Sequence, residues 1–314
     1  MFRTILEPLA FAAALALSPF VAAAPVAVPG TTVTLDPPEG FVAAERFPGF
    51  QREDLGASIM VTELPAPADD MTKAMTKEAL ASRGMTLHST RKVKVGGVES
   101  VLLHLSQTAN GIEFLKWMLV TGDPSQTVMV VGTFPKAAET AASDPVRKAV
   151  LSTTRDAGAK ADPWAGLPFR IEPTAGLKLA KRITNMLVLT RDGTVGPGGS
   201  PGDPVYVVGE SVSSVASTDV EALSRTRLSQ TAQIKDLRNV KGRNLTVGGL
   251  GAYELVADAT HVQTGDTVRV CQTIALDGRG YVIFLGIVGS ALADTYLPEF
   301  RNVTASFRRV TAGR

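Results

Sequence analysis

Alternation of apolar and polar positions dominates the chain and predicts strands. Val98-Glu-Ser-Val-Leu-Leu-His-Leu105, Phe114-Leu-Lys-Trp-Met-Leu-Val120 and Val128-Met-Val-Val-Gly-Thr-Phe134 are separated by turn residues at Asn110-Gly111 and Gly122-Asp-Pro-Ser125. Short β-branched runs bounded in this way read as an antiparallel meander. A second set follows: Leu250-Gly-Ala-Tyr-Glu-Leu-Val256, then Val268 to Leu276, then Tyr281 to Val288, with turns at Thr264-Gly265-Asp266 and Asp277-Gly278-Arg-Gly280. Helical spacing is confined to a few stretches. Asp70 to Arg83 puts Met71, Met75 and Ala79 on one face, and Gly84 is placed to stop it. Thr218 to Gln230 opens with Thr218 and Glu221 as a capping box. Asp144-Pro145 suits the N-cap and first position of a third helix, and Pro298 with Phe300 to Phe307 occupies the equivalent stretch later in the chain.

The two sets are in register. Val95-Gly96-Gly97 returns as Val247-Gly248-Gly249, a shift of 152; Gly111 to Gly265, Asp123 to Asp277, Gly132 to Gly286, Arg147 to Arg301 and Ser152 to Ser306 all shift by 154. One two-residue insertion in the first hairpin loop reconciles them, so the chain is read as a duplication. Upstream, Val33 to Phe41 parallels Phe169 to Leu177, and Ser58 to Glu63 parallels Val205 to Glu210. Each unit is expected to run strand, strand, helix, three-strand meander, terminal helix. Short turns favour antiparallel pairing, so the expected class is α+β: two tandem α/β sandwich modules, each a mainly antiparallel sheet flanked by helices. The expected division is residues 24–158 and 165–314, joined near Ala157 to Pro163.

The N-terminus adds an address. Arg3 precedes an apolar run from Leu9 to Val21, and Val21-Ala22-Ala23 offers small residues for a signal peptidase, so residues 1–23 are expected to be a signal peptide cut after Ala23. An uncleaved anchor is the alternative. No later run reaches spanning length, and a periplasmic or secreted protein is expected. The single cysteine, Cys271, lies in an alternating stretch and is expected to be a small buried hydrophobe. Composition is ordinary, with 45% hydrophobic and 20% charged residues and a net charge of +2. A nucleic-acid partner is not expected from such a balance.

Candidate chemistry is sparse. Gly198-Gly-Ser200-Pro-Gly202 has the spacing of a hydrolase elbow, but its surroundings carry too much Gly and Pro to start the helix that the elbow needs, and a long hairpin loop is expected instead. His88, His104 and His261 show no metal-ligand spacing, and neither cofactor nor metal is expected. Asp123 and Asp277 are placed as turn residues. Basic residues gather ahead of both Gly-Gly pairs: Arg91, Lys92 and Lys94 in one unit, Lys235, Arg238, Lys241 and Arg243 in the other. They make a possible interaction face for an acidic protein or anionic surface.

The opening Val33-Thr-Leu-Asp-Pro-Pro-Glu-Gly-Phe41, the strand Val93-Lys-Val-Gly-Gly97, the two strands after it and the ending Leu151-Ser-Thr-Thr-Arg155 resemble the superfamily of the photosystem II protein PsbP, the Mog proteins and the periplasmic DcrB proteins. The resemblance covers nearly the whole chain after residue 23, as two copies. It implies a binding or assembly accessory and carries over no catalytic residues. The chain departs from lipoprotein members in having no cysteine after the signal region. The expectation is a non-enzymatic binding or assembly protein of the bacterial cell envelope, acting on another envelope protein or an anionic surface. An envelope hydrolase, or a carrier holding an apolar ligand beneath Met71 and Met75, are the alternatives.

Overall fold

The computed structural model describes residues 25–195, 202–212, 214–215, 217–278 and 280–310. The expected signal segment and Ser200 lie outside the described residues.

The first half runs β1 (Val26–Ala27), β2 (Val33–Leu35), β3 (Val42–Ala43), β4 (Gly49–Arg52), β5 (Ala57–Leu64), α1 (Ala68–Ala74), α2 (Lys77–Ala81), β6 (Met85–Val95), β7 (Val98–Ala109), β8 (Ile112–Gly122), β9 (Thr127–Pro135), α3 (Glu139–Leu151) and β10 (Thr154–Arg155). The second half runs β11 (Phe169–Arg170), β12 (Lys178–Ile183), β13 (Met186–Thr190), β14 (Val205–Glu210), α4 (Val220–Ser229), β15 (Ile234–Val247), β16 (Leu250–His261), β17 (Thr267–Leu276), β18 (Tyr281–Gly289), α5 (Ala293–Ala305) and β19 (Arg308–Arg309). Two seven-stranded sheets result, with orders β3-β4-β5-β9-β8-β7-β6 and β12-β13-β14-β18-β17-β16-β15. The order is the same in both, and all pairing is antiparallel. The protein is α+β, in two sheet-based modules.

The Gly-Gly pairs close two-residue hairpins, β6–β7 and β15–β16. Their φ values are +56° and +83° at Gly96 and Gly97, and +53° and +81° at Gly248 and Gly249. Two successive positive φ angles make the turn whose twist matches that of the strands, and glycine adopts them without a Cβ penalty. Each meander therefore has four strands instead of the expected three, and the added strand, β6 or β15, forms the sheet edge. These edge strands carry the basic residues, and only the end of β6, Val93 to Val95, reads as a strand by alternation.

Each sheet has helices on both faces. The terminal helix packs on one: Val146, Ala149 and Val150 of α3 bury against Ile59, Val61, Val128 and Val130, and Phe300 and Val303 of α5 against Tyr206, Val208 and Phe284. Gly132 and Gly286 sit under these helices. A Cβ there would lie 2.2 Å from Val146 Cγ1 and 2.4 Å from Phe300 Cδ2, which explains why glycine recurs at both crossings. The opposite faces meet α1 and α2 in the first module and α4 in the second.

Several helix ends differ from expectation. The first helix breaks into α1 and α2, because Thr76 caps a new start by accepting from the Ala79 amide at 3.1 Å. Gly84 follows with φ +72°. The cap of α4 is Asp219, which accepts from the Ala222 amide at 2.9 Å, so Thr218 lies one residue outside. α3 starts at Glu139, five residues before Asp144, and Pro145 sits within it; Asp144 instead pairs with Arg147 at 3.1 Å.

The modules touch reciprocally. Arg46, between β3 and β4, donates to the Ser211 carbonyl beyond β14 and lies 3.7 Å from Asp277. Thr184, between the equivalent strands β12 and β13, meets Thr62 of β5 at 3.1 Å between hydroxyls.

Candidate functional site

The basic stretches lie on the two sheet edges, and the modules use them differently. β15 pairs with β16 as Lys235↔Thr260, Arg238↔Asp258, Lys241↔Val256 and Arg243↔Glu254. All four partners are even-numbered, so they share one face of β16. The cations are spaced by three, three and two residues, and plain alternation would send them to both faces. Two β-bulges, between Lys235 and Arg238 and between Arg238 and Lys241, each absorb one residue and bring all four onto the face that carries α5. The bulges contain Asp236 at φ +53° and Asn239 at φ +51°, residue types that tolerate this region best among those with a Cβ.

Arg269 joins the stripe from β17, opposite Asp258, and Arg301 reaches it from α5. Glu254, with 3% of its side chain exposed, is clasped by Arg243 (Nε to Oε1, 2.9 Å) and Arg301 (Nη2 to Oε1, 2.8 Å). Burial pushes the Glu254 carboxyl up, but the Arg301 and Arg243 hydrogen bonds and charges outweigh it and hold it below the usual range. Asp258 accepts from Asn239 at 2.8 Å and pairs with Arg269 at 2.7 Å, and its carboxyl is held below the usual range as well. Six cations on this face stand against these two carboxylates and Asp236 in the bulge, so positive charge predominates. Lys235, Arg238, Lys241 and Arg243 are all exposed.

In the first module the equivalent cations do not form a stripe. Arg91 pairs with Leu102, on the face of α3, whereas Lys92 and Lys94 pair with Val101 and Glu99, on the face of α1. Lys92 borders a cavity of about 650 Å³ together with Lys73, Asp69, Asp70, Glu99 and Asp123, so acidic groups outnumber basic ones around it.

The remaining candidates have structural settings. Cys271 is 5% exposed on β17, and burial, reinforced by the Glu254 charge, pushes its thiol up to about 12. His88 and His104 come together beside Trp117, with ring centroids 5.2 Å and 4.2 Å apart along the series. Burial and the neighbouring His88 lower the His104 pKa. Among the described residues no group of three or more His, Cys, Asp or Glu is arranged to hold a metal ion. No described helix is long and apolar enough to cross a membrane. Asp123 and Asp277 are turn residues that also anchor the chain ends of each module, pairing with Arg155 at 2.6 Å and Arg309 at 2.7 Å. The two arginines are 154 residues apart, the same shift as the aspartates, a signal that sequence reasoning missed. Arg309 also pairs with Glu210, the counterpart of Glu63.

No protein family and no curated protein matches the sequence. Solved structures are similar at a distance. The T6SS immunity protein TplEi of Pseudomonas aeruginosa aligns over 91% of this chain and 97% of its own at 12% identity and a TM-score of 0.34. LpqN, involved in cell envelope biogenesis of Mycobacterium tuberculosis, aligns over 46% of this chain and 83% of its own at 11% identity and a TM-score of 0.33. A chain of the Tle4–Tli4 complex aligns over 87% of this chain and 99% of its own at 14% identity and a TM-score of 0.33. Likenesses at these scores carry no argument about function.

Proposed function

We propose that this chain is a non-enzymatic binding or assembly protein of the bacterial cell envelope, built from two diverged copies of a PsbP- or DcrB-like module, and that it recognises an acidic partner or anionic surface through the β15 stripe. The observation that carries this reading is the pair of bulges that lines up Lys235, Arg238, Lys241 and Arg243. Left-handed backbone at two residues with side chains costs on the order of 1–3 kcal/mol each and persists where the surroundings impose it, often at functional positions. The same bulges and charges blunt the sheet edge against addition of another strand, which favours contact through side chains over main-chain pairing. The signal-like N-terminal sequence supports an envelope location.

Immobilised protein exposed to bacterial envelope extract tests the proposal. Retained components should elute with added salt and be lost from the double variant Lys235→Glu, Lys241→Glu, yet be kept by Lys92→Glu, Lys94→Glu. Saturable turnover of a small ester by the purified protein, with no salt-sensitive retention, would overturn it.

A further inference from the structure

A cavity of about 370 Å³ lies in the second module on the side of α4, away from the stripe. α4 packs over β16 and β17, at Tyr253, Leu255 and Val270, and does not extend over the floor formed by β13, β14 and β18, which no other described helix covers on this side. That floor is aliphatic, made by Val188, Val207, Leu285 and Ile287. Val205 at its border is 40% exposed, and Val195 beside the mouth is 42% exposed. The volume falls within the range of roughly 300–1,000 Å³ of small-ligand sites.

The chemistry of the lining narrows the occupant. β13, β14, β18 and β17 pair continuously across the floor, so their amides and carbonyls are already engaged. A peptide laid there would bury amide groups without partners, at a cost of roughly 1–3 kcal/mol each, whereas a hydrocarbon chain leaves none. At the mouth, Arg191 pairs with Asp203 at 3.0 Å and donates from Nε to the Tyr296 hydroxyl at 3.0 Å, while the Asp192 carboxylate accepts from the Thr190 and Thr194 hydroxyls, so these groups carry one net negative charge. An anionic head group would meet this negative charge and have to displace Asp203 from Arg191; an uncharged hydroxyl needs only a donor or acceptor. His261 supplies a ring nitrogen there, its Nδ1 being engaged by Thr264.

The first module differs beside the equivalent position. By the shift of 154, Val270 and Ile287 correspond to Lys116 and Thr133. Lys116 is half-buried and donates from Nζ to Thr133 Oγ1 at 3.2 Å, placing a charged chain beside the counterpart of Ile287.

We propose that this cavity binds one aliphatic chain ending in an uncharged polar group, such as a fatty alcohol or a monoacylglycerol. This inference is independent of the anionic-partner reading. Calorimetric titration of the full chain with decanol, monodecanoylglycerol, decanoate and an acetylated, amidated valine-rich peptide tests it. Saturable binding of decanol or monodecanoylglycerol is expected, the tighter of the two identifying the source. Val207→Phe and Ile287→Phe should each weaken it by about tenfold or more. Thermal unfolding selects whichever variant folds, and Lys235→Glu, Lys241→Glu should bind the alcohol as the parent does. Absence of binding, tighter binding of decanoate or of the peptide, or full affinity in a folded cavity-filling variant would overturn the proposal.

Discussion

Reversing two charges of the stripe gives the sharpest expected effect. Successive cations face β16 positions two residues apart, so with about 3.4 Å per residue the stripe extends for roughly 20 Å. A unit charge about 7 Å from an anionic group in water contributes about 0.6 kcal/mol at low ionic strength, a factor of about three. Lys235→Glu, Lys241→Glu changes the stripe by four charge units, hence by about 2.4 kcal/mol, or roughly fiftyfold in affinity. Poly-L-glutamate is a suitable probe, followed by fluorescence anisotropy across a salt series. The parent should weaken steeply with salt, because a separation of this size is comparable to the screening length of about 8 Å at physiological ionic strength. The exchange Val240→Lys, Lys241→Val keeps the net charge of +2 but moves one cation off the line. It should cost up to about threefold. If the reversed variant binds as the parent does, or the exchange leaves the affinity unchanged, the alignment of these cations has no role.

Three further outcomes follow from the interior of the modules. Glu254→Gln removes the anion between Arg243 and Arg301 and should destabilise the fold by about 1–3 kcal/mol, towards the lower end because both arginines are half-exposed; an unchanged melting temperature would contradict this. Hydrogen bonds from Ser125 and the Arg155 guanidinium hold the Asp123 carboxyl well below its usual range, while Asn239 and Arg269 lower that of Asp258. Depressed folded-state pKa values stabilise above the unfolded carboxylate range and lose that contribution as pH falls, so the melting temperature should decline below about pH 5. Arg155→Ala should reduce the acid sensitivity. Cys271, with its thiol pushed up to about 12, should resist a disulfide reagent at neutral pH until the protein is unfolded, and rapid labelling of the native chain would refute its burial.

The sheet class was legible because the central strands β7 to β9 and β16 to β18 alternate cleanly and end at Gly, Asn and Asp turns. The edge strand β15 was harder to read. In Lys235-Asp236-Leu237-Arg238-Asn239-Val240-Lys241 the bulges shift the phase every third residue, so neither the strand nor the helix period appears. For the same reason the basic residues could be named as a group, but their common face could not be read before the register was known. The helix caps were misplaced by local competition: Asp219 outranks Thr218 as an acceptor, and Thr76 restarts a helix that spacing alone would continue. The cavity left no sequence mark, since Val188, Val207, Leu285 and Ile287 look like any buried strand residues. Only the lack of a covering helix among the described residues makes them a floor.

Lysine footprinting tests the central claim most directly. With poly-L-glutamate or a recovered partner bound, mass spectrometry after brief acetylation should show Lys235 and Lys241 protected, with Lys92 and Lys94 modified as in the free protein. Equal modification of Lys235 and Lys241 in the free and bound states would contradict recognition through the β15 stripe.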